Sequence, residues 1–331
     1  MSTIAADIGE YRALTSGCGL VDRSERGKLA LTGAEAAEFL NGQVTNDVVS
    51  LGPGGGCYAA FLTHKGKMLG DLRVLVPPPP SDGGPELLLD TERVALQSLF
   101  DMIRRFKVGY DVQLHKRTLE RGLLSLIGPR SREVLAAVDP AAAQALGSEE
   151  HVNAWARIAG VPALVISTDV GVDVLIDSDA TAAARSVLLA AGAVATGEAT
   201  AETVRVEHGR PRYGLDVDDT TIPQEAALNE RAVSFTKGCY VGQETVARLF
   251  YRGKPNRHLW GLRLSGPAST GDELTLGERV VGHLGSTVQS PRHGAIALAL
   301  VRREVEAGSE LSVGDGSVAA RLAALPFDSI A

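Results

Sequence analysis

The apolar pattern of the sequence changes near Arg257, and this change limits the possible folds more than any other feature. Before it, segments with strand-like alternation are interleaved with segments of helical periodicity. After it, only short alternating segments remain, separated by glycines, at residues 259–264, 279–284 and 295–301. Short strands divided by turn residues are typical of a small antiparallel β-barrel or sandwich.

The part of the chain before residue 246 contains a similar arrangement twice. Apolar residues alternate over two pairs of segments, which predicts two hairpins, and helical periodicity lies beside each pair. The first set is strands 57–62 and 68–76 with a helix at 91–106; the second is strands 163–167 and 172–176 with helices at 131–138 and 180–191. Because hairpins lie among the helices, the pattern favours α+β layers over a strictly parallel sheet.

With 331 residues, the chain also exceeds the size at which a single core stops growing. We therefore predict three domains: residues 1–116 and 117–245, both α+β, and residues 246–331, an antiparallel β-barrel. A long irregular stretch at 209–242 lies in the second domain, and such stretches inside compact proteins are usually functional. Prolines and glycines at 77–85 predict a surface loop.

The densest group of reactive residue types is the segment at 237–244, with the sequence KGCYVGQE. Its two glycines permit backbone torsions that other residues avoid. A thiol beside a lysine is a candidate for a lowered pKa, because a positive charge stabilises the thiolate. Cys239 and Lys237 are therefore the candidate reactive pair. The alternative is that Cys239 is a buried small hydrophobe, as free cysteines often are.

Charge and composition exclude several classes of protein. The net charge of −7 argues against a general nucleic-acid or membrane-surface binder. The N-terminal residues lack the basic and apolar regions of a signal peptide, and no apolar run reaches eighteen residues, so we expect a cytoplasmic protein without direct membrane contact. The three cysteines at 18, 57 and 239 are too far apart to indicate a disulfide framework or a zinc motif.

Five motifs, in order along the chain, resemble a folate-binding family that includes the glycine-cleavage aminomethyltransferase, and more closely its YgfZ branch. They are QVTNDV at 43–48, the segment from Tyr58 to Leu72, RVEHG at 205–209, PQEA at 223–226 and KGCYVGQE at 237–244. The resemblance implies a three-domain ring, in which two α+β domains surround a central tetrahydrofolate cavity and a β-barrel follows.

For function, the resemblance implies a tetrahydrofolate-binding accessory protein that supports the assembly or repair of iron-sulfur enzymes, including those that modify tRNA. Cys239 is then the key thiol, and the partners are folate and iron-sulfur client enzymes. Two other functions remain open: a folate-dependent one-carbon or aminomethyl transferase, and a folate-carrying scaffold in which Cys239 has no chemistry.

The same resemblance assigns candidate cofactor-binding residues. Glu207 matches the family's folate carboxylate, and one carboxylate can accept two adjacent N–H groups of a pterin. Tyr58 and Tyr213 offer flat faces to a pterin or benzoyl ring, or are core tyrosines. Asp71 either approaches the reactive end of folate or holds its hairpin.

One departure from the family pattern concerns the residue before Asp71. Aminomethyltransferases carry two adjacent aspartates there, one of them catalytic, whereas this chain has Gly70 followed by Asp71. We interpret the missing carboxylate as the catalytic one, which counts against aminomethyl transfer.

A basic cluster follows the segment at 237–244, which we call the signature segment. The cluster is formed by Arg248, Arg252, Lys254 and Arg257, and it either meets a partner or phosphate or is a solvated face.

Overall fold

The computed structural model describes residues 4–79 and 86–327 of the chain. Residues 80–85 of the predicted proline-rich loop lie outside the described residues. In the described part, no helix combines the length and the apolar composition that crossing a membrane requires.

The described residues form short helices and strands in alternation. The strands are β1 (Ile4–Ala5), β2 (Gly19–Asp22), β3 (Gly27–Thr32), β4 (Gly56–Leu62), β5 (Met68–Leu75), β6 (Glu86–Thr91), β7 (Gln113–Lys116), β8 (Arg121–Ile127), β9 (Asn153–Ile158), β10 (Val161–Thr168), β11 (Gly171–Asp177), β12 (Val194–Ala195), β13 (Arg257–Leu264), β14 (Glu273–Leu276), β15 (Arg279–Ser290), β16 (Gly294–Arg302), β17 (Glu310–Val313) and β18 (Val318–Ala323). The helices are α1 (Ile8–Ser16), α2 (Ala36–Asn41), α3 (Leu96–Phe106), α4 (Ser131–Val138), α5 (Pro140–Ala145), α6 (Thr181–Ala190), α7 (Glu198–Glu207), α8 (Asn229–Ala232) and α9 (Gln243–Arg252).

These strands form three sheets. The first has the order β4-β5-β6-β3-β7, and the second has the order β12-β2-β8-β11-β10-β9. In the C-terminal part, β15-β14-β17-β18-β13-β16 close into a six-stranded antiparallel barrel through pairing of β15 with β16. The short strand β1 joins this barrel in parallel with β15, and β2 joins the second sheet. The domain boundaries at 116 and 245 stay predictions.

The hairpin of β4 and β5 shows why its residues point where they do. Directly opposed residues on antiparallel strands share a face, and faces alternate along each strand. Ala59 and Phe61 on β4, with Leu72 and Val74 on β5, are buried in the core of the first sheet. The other face carries Tyr58 opposite Arg73 and Ala60 opposite Asp71. The sequence alternation therefore places a group of polar side chains on the face away from this core.

The local structure differs from the sequence prediction at three elements. The sequence also predicts a strand at 108–114, but β7 starts only at Gln113, because residues 107–112 form turns in which the N–H of Tyr110 donates to the carbonyl of Lys107. The predicted helix at 91–106 begins at Leu96, since Thr91 still pairs in β6. Helix α9 begins at Gln243, within the signature segment at 237–244, and has no counterpart in the prediction.

A buried arginine connects the first two sheets. Arg73 on β5 forms an ion pair with Asp173 on β11, with 2.6 Å between Nη1 and Oδ2, and a second one with Asp90 on β6. All three side chains are at most 10% exposed. A buried charge is stable only when it is paired, so this triad fixes the position of the first sheet relative to the second.

We expect Arg73→Met to lower the free energy of unfolding by about 3–5 kcal/mol, because the substitution leaves the buried Asp173 carboxylate without its cation, while Asp90 keeps only Arg26. Arg321→Met is the matched control, since Arg321 and its partner Glu310 are 71% and 59% exposed, and the loss of an exposed pair costs less than about 1 kcal/mol. Urea denaturation of both variants measures the difference. Equal destabilisation would show that the buried triad does not hold the sheets together.

Candidate functional site

A cavity of about 190 Å³ lies between the first sheet, the second sheet and helix α7. Its walls are unusually rich in charged side chains for an interior space. The lining residues that matter below are Arg26, Tyr58, Asp71, Arg73, Glu92, Glu150, His151, Asp173, Val204, Arg205, His208 and Arg231. The structure therefore brings Tyr58 and Asp71, two of the predicted cofactor-binding residues, into one cavity.

Tyr58 and Asp71 lie on the same face of the β4–β5 hairpin, close enough for each to shift the pKa of the other. Asp71 is only 5% exposed. Burial raises the pKa of Asp71 to about 6, and the nearby carboxylate of Glu92 adds to the rise, although Tyr58 and Arg26 oppose it. A carboxyl group with a pKa near neutrality can exchange a proton under physiological conditions.

Gly70 occupies the opposite face of the same strand. A Cβ atom added to Gly70 would lie 2.6 Å from the Phe61 ring and 2.6 Å from the Cβ of Ala95, both in the apolar core. Position 70 therefore faces that core, whereas position 71 faces the cavity. This geometry changes the interpretation of the missing carboxylate: the cavity retains its acid, Asp71.

Two residues that the sequence analysis did not identify lie next to the Tyr58 ring. His151 stacks on it with 6.4 Å between ring centroids and an interplanar angle of 26°, and the Arg231 guanidinium lies 5.2 Å from its centroid. Burial, together with Arg73 and Arg231, lowers the pKa of His151 to about 3, so the imidazole is neutral. His151 also has a left-handed backbone, with φ of 73°, and such strained residues cluster at functional sites.

Tyr213 is close to this site but does not line the cavity. It is half-buried against the core of the first sheet. Burial raises the pKa of its hydroxyl to about 12, with further contributions from Asp219, Asp218 and Asp71. Tyr213 also packs against a second apolar cluster, which contains Ala60 of β4. Its predicted contact with folate stays a prediction.

Glu207 lies in a neighbouring cleft of about 600 Å³, which shares Val204 and His208 with the central cavity. Its buried carboxylate accepts hydrogen bonds from the Tyr11 hydroxyl, at 3.0 and 3.1 Å, and from the Ser290 hydroxyl, at 2.5 Å. The structure therefore does not bring Glu207 into the cavity with Tyr58 and Asp71. Its role as a folate ligand stays a prediction.

Lys237 holds the signature segment against the first domain. Its ammonium group donates to the carbonyl oxygens of Asn41, Val44 and Asn46, at 2.5, 2.9 and 2.8 Å, which uses all three N–H groups. Burial lowers its pKa to about 8. Lys237 thus connects the motifs at 43–48 and 237–244, and its predicted catalytic role stays a prediction.

Cys239, in contrast, is exposed and does not line the central cavity. The backbone after it turns sharply at Gly242, whose φ is 86° and whose added Cβ would lie 2.6 Å from the Thr63 carbonyl oxygen. Only glycine fits this close approach, which seats the start of α9 on the turn of the β4–β5 hairpin. Among the described side chains, no group of three His, Cys, Asp or Glu residues could hold a metal ion.

Sequence reasoning missed Arg26, Arg73, His151 and Arg231, which complete the cavity. Arg73 could have been identified from the sequence, because it lies two residues after Asp71 and therefore on the same face of the strand. Arg231 and His151 could not be identified in this way, since no local pattern shows that a strained loop and a one-turn helix cover Tyr58.

Comparisons with known proteins agree over nearly the whole chain. The model of the GCVT N-terminal domain matches residues 2–237, and that of the glycine cleavage T-protein C-terminal barrel domain matches residues 257–328. An aminomethyltransferase of Rubrobacter xylanophilus is 30% identical over 329 residues, covering 96% of this chain and 85% of that protein. A chloroplast protein of Arabidopsis thaliana, named as a transferase, is 27% identical, covering 92% of this chain and 70% of that protein.

A solved structure shows the same fold. The glycine cleavage system aminomethyltransferase T from Bartonella henselae superposes with a TM-score of 0.82 at 24% identity, covering 97% of this chain and 89% of that protein. Together with the barrel-domain match, this confirms the predicted fold class, with α+β domains followed by a closed antiparallel barrel.

The raised pKa of Asp71 makes a prediction about stability. The folded protein binds more protons than the unfolded chain between pH 4 and 6, so Asp71 contributes less stability as the pH rises through this window. We therefore compare the free energy of unfolding of Asp71→Asn with that of wild type at two pH values. Between pH 4 and pH 8 we expect this difference to shift by about 2–3 kcal/mol in favour of the variant, at about 1.4 kcal/mol per pKa unit. Urea denaturation at both pH values tests this, and a difference that does not change with pH would contradict it.

The three cysteines should differ in reactivity. Burial raises the pKa of Cys18 to about 11 and that of Cys57 to about 12, whereas Cys239 is exposed. A pKa near 11 leaves about one thiol in a thousand ionised at pH 8, so we expect Cys239 to react on the order of 100-fold faster. Peptide-resolved alkylation with iodoacetamide measures the three rates. Labelling of Cys18 or Cys57 as fast as Cys239 in the native protein would refute this.

Proposed function

The chain belongs to the glycine-cleavage T-protein family, and from this premise we propose that it binds tetrahydrofolate or a derivative in the central cavity and serves iron-sulfur enzymes through Cys239. In this proposal it is an accessory protein of the YgfZ branch, which supports the assembly or repair of its clients, including enzymes that modify tRNA.

The placement of Cys239 carries the proposal. The thiol is exposed, lies outside the cavity, and sits on a segment anchored by the partly buried Lys237 ammonium. A group in this position can reach another macromolecule, whereas a thiol that acts on folate would have to line the cavity. In this proposal the cavity between the two sheets is the ligand site, and the signature segment supplies a separate reactive group.

The residues of the cavity fit the pterin end of a folate. Tyr58 offers an aromatic face, and Asp71 offers a carboxylate for N–H donors. The buried Nδ1 of His151 and the Nε atoms of Arg73 and Arg231 have no hydrogen-bond partner among the described residues. A polar heterocycle with both donors and acceptors suits such a wall. The adjoining cleft beside Glu207 provides room for the rest of the molecule.

Two measurements test this proposal, and calorimetric titration with tetrahydrofolate is the first. We expect Tyr58→Ala to weaken binding by about 1–3 kcal/mol, the usual value of stacking between an aromatic side chain and a heterocycle. Tyr110→Ala is the matched control, because Tyr110 is a half-exposed tyrosine away from the cavity. An unchanged affinity for the Tyr58 variant would show that the cavity does not bind folate.

The second measurement is genetic. In a deletion strain, Cys239→Ala should fail to restore cluster-dependent tRNA methylthiolation, whereas Cys18→Ala should restore it.

Asp71 supports a second candidate function, a folate-dependent one-carbon transferase. Transfer of a methylene group requires a positioned acid or base, and Asp71 faces the cavity with a pKa of about 6. Relatives with these domains are named as transferases and aminomethyltransferases. The replacement of a neighbouring aspartate by Gly70 does not weigh against this candidate, since position 70 faces the apolar core.

Turnover of an aminomethylated lipoyl carrier with tetrahydrofolate decides between the two candidates. If the chain is a transferase, Asp71→Asn should lower kcat by about 10² to 10⁴, the usual contribution of a general acid or base. Gly70→Asp should destabilise the protein without raising activity, because the new carboxylate would be buried against Phe61. Wild-type turnover below detection would leave the accessory function as the only candidate of the two.

A further inference from the structure

Helix α9 and Phe235, two residues before the signature segment, present a group of aromatic side chains at the surface. Phe235 stacks on Phe250 with 3.8 Å between ring centroids and an interplanar angle of 16°, and Tyr251 meets both rings edge-on. Phe250 is 46% exposed and Tyr251 is 66% exposed. Large aromatic side chains clustered at the surface are typical of interaction sites, whereas single exposed ones are common.

Unpaired cations lie on the same helix and directly after it. Arg248, Arg252 and Lys254 are exposed, and none of them has an ion-pair partner among the described residues. Glu244 is the one acidic residue of α9, so the helix end carries a net positive charge although the whole chain carries −7. Arg257, the fourth cation of the cluster predicted from the sequence, instead pairs with Glu225 at 2.9 Å.

The aromatic cluster and the reactive thiol share one continuous segment. Phe235 precedes Cys239 by four residues, which span at most about 14 Å. Between them and α9, the N–H of Gln243 donates to the carbonyl of Tyr240 at 3.2 Å, so the segment turns directly into the helix. A partner that covers Phe250 and Tyr251 would therefore lie within reach of the thiol.

We propose that this region is the docking surface for the iron-sulfur client that Cys239 serves. The surface consists of the rings of Phe235, Phe250 and Tyr251 and the cations Arg248, Arg252 and Lys254. This inference rests on the proposed function and specifies the partner surface: an acidic patch around an apolar centre. Phenylalanine, tyrosine and arginine are enriched at protein interfaces, and complementary charge guides the encounter. A solvated helix face would explain the cations, but it would not explain the exposed rings among them.

Binding of the full-length protein to a purified, cluster-loaded tRNA-methylthiolating enzyme from the same genome tests the proposal. Biolayer interferometry at low and high salt should show that Phe250→Ala and Tyr251→Ala each weaken affinity at least about tenfold. The double change Arg248→Glu with Arg252→Glu should slow association and flatten its salt dependence. Phe106→Ala and Arg104→Glu on α3 are the matched controls and should bind like wild type, since both residues are exposed elsewhere.

Rescue of tRNA methylthiolation in a deletion strain separates failure of this inference from failure of the proposed function. The inference gains support if Tyr251→Ala lowers rescue as far as Cys239→Ala does. If Cys239→Ala fails to rescue while the Tyr251 variant rescues fully and binds normally, the docking surface is refuted and the proposed function stands. Full rescue by Cys239→Ala refutes the proposed function itself. Absence of wild-type binding to the enzyme, or Tyr251-dependent binding of free tRNA instead, also overturns the docking surface.

Discussion

The buried Arg73 triad is the interaction on which the cavity depends. Arg73 pairs with Asp90 in its own sheet and with Asp173 in the second sheet, so the wall that carries Tyr58 and Asp71 is fixed relative to the opposite wall. The same pairing determines the chemistry of the cavity. Burial alone would raise the pKa of Asp90, but Arg26 and Arg73 outweigh it and hold that pKa well below its ordinary range. Asp71 lies nearby without an arginine of its own, so its pKa rises. The surroundings of these two buried aspartates on neighbouring strands thus shift their pKa values in opposite directions. Enzymes use pairs of carboxyl groups with different pKa values for acid and base chemistry.

Alternation along β4 and β5 made much of this wall predictable. The apolar residues Ala59, Phe61, Leu72 and Val74 define the core face, so Asp71 and Arg73 had to share the other face. The same alternation assigns Gly70 to the core side, and the sequence-based interpretation of Gly70 as a lost catalytic acid overlooked it. Strand periodicity of two is a local property, which is why a sequence can reveal the face of a residue but not what covers it.

The second wall of the cavity could not be predicted, because it depends on tertiary contacts between distant segments. His151 reaches Tyr58 through a left-handed backbone at a residue that is not glycine, and no local sequence signal marks that conformation. Arg231 comes from a helix of four residues, too short to show helical periodicity. The surroundings of Glu207 were equally hidden: its motif indicated a ligand-binding carboxylate, but not that Tyr11 and Ser290, distant in sequence, donate to it in the neighbouring cleft.

A continuous set of contacts connects the cavity to the thiol segment. The amide of Asn46 donates to the carbonyl of Tyr58, and the N–H of Thr45 donates to that of Ala60, so the motif at 43–48 lies along the edge of β4. Lys237 in turn holds carbonyls of this same motif. At its other end, the hairpin turn contacts α9, since an added Cβ on Gly66 would lie 2.8 Å from Thr245. The strand that carries Tyr58 is thus bound at both ends to the segment that carries Cys239. Contacts of this kind transmit a change only if the joined elements have two discrete arrangements. The partly buried Lys237 ammonium with three carbonyl partners favours one arrangement, so the structure supports a thiol held in place rather than one switched by the cavity.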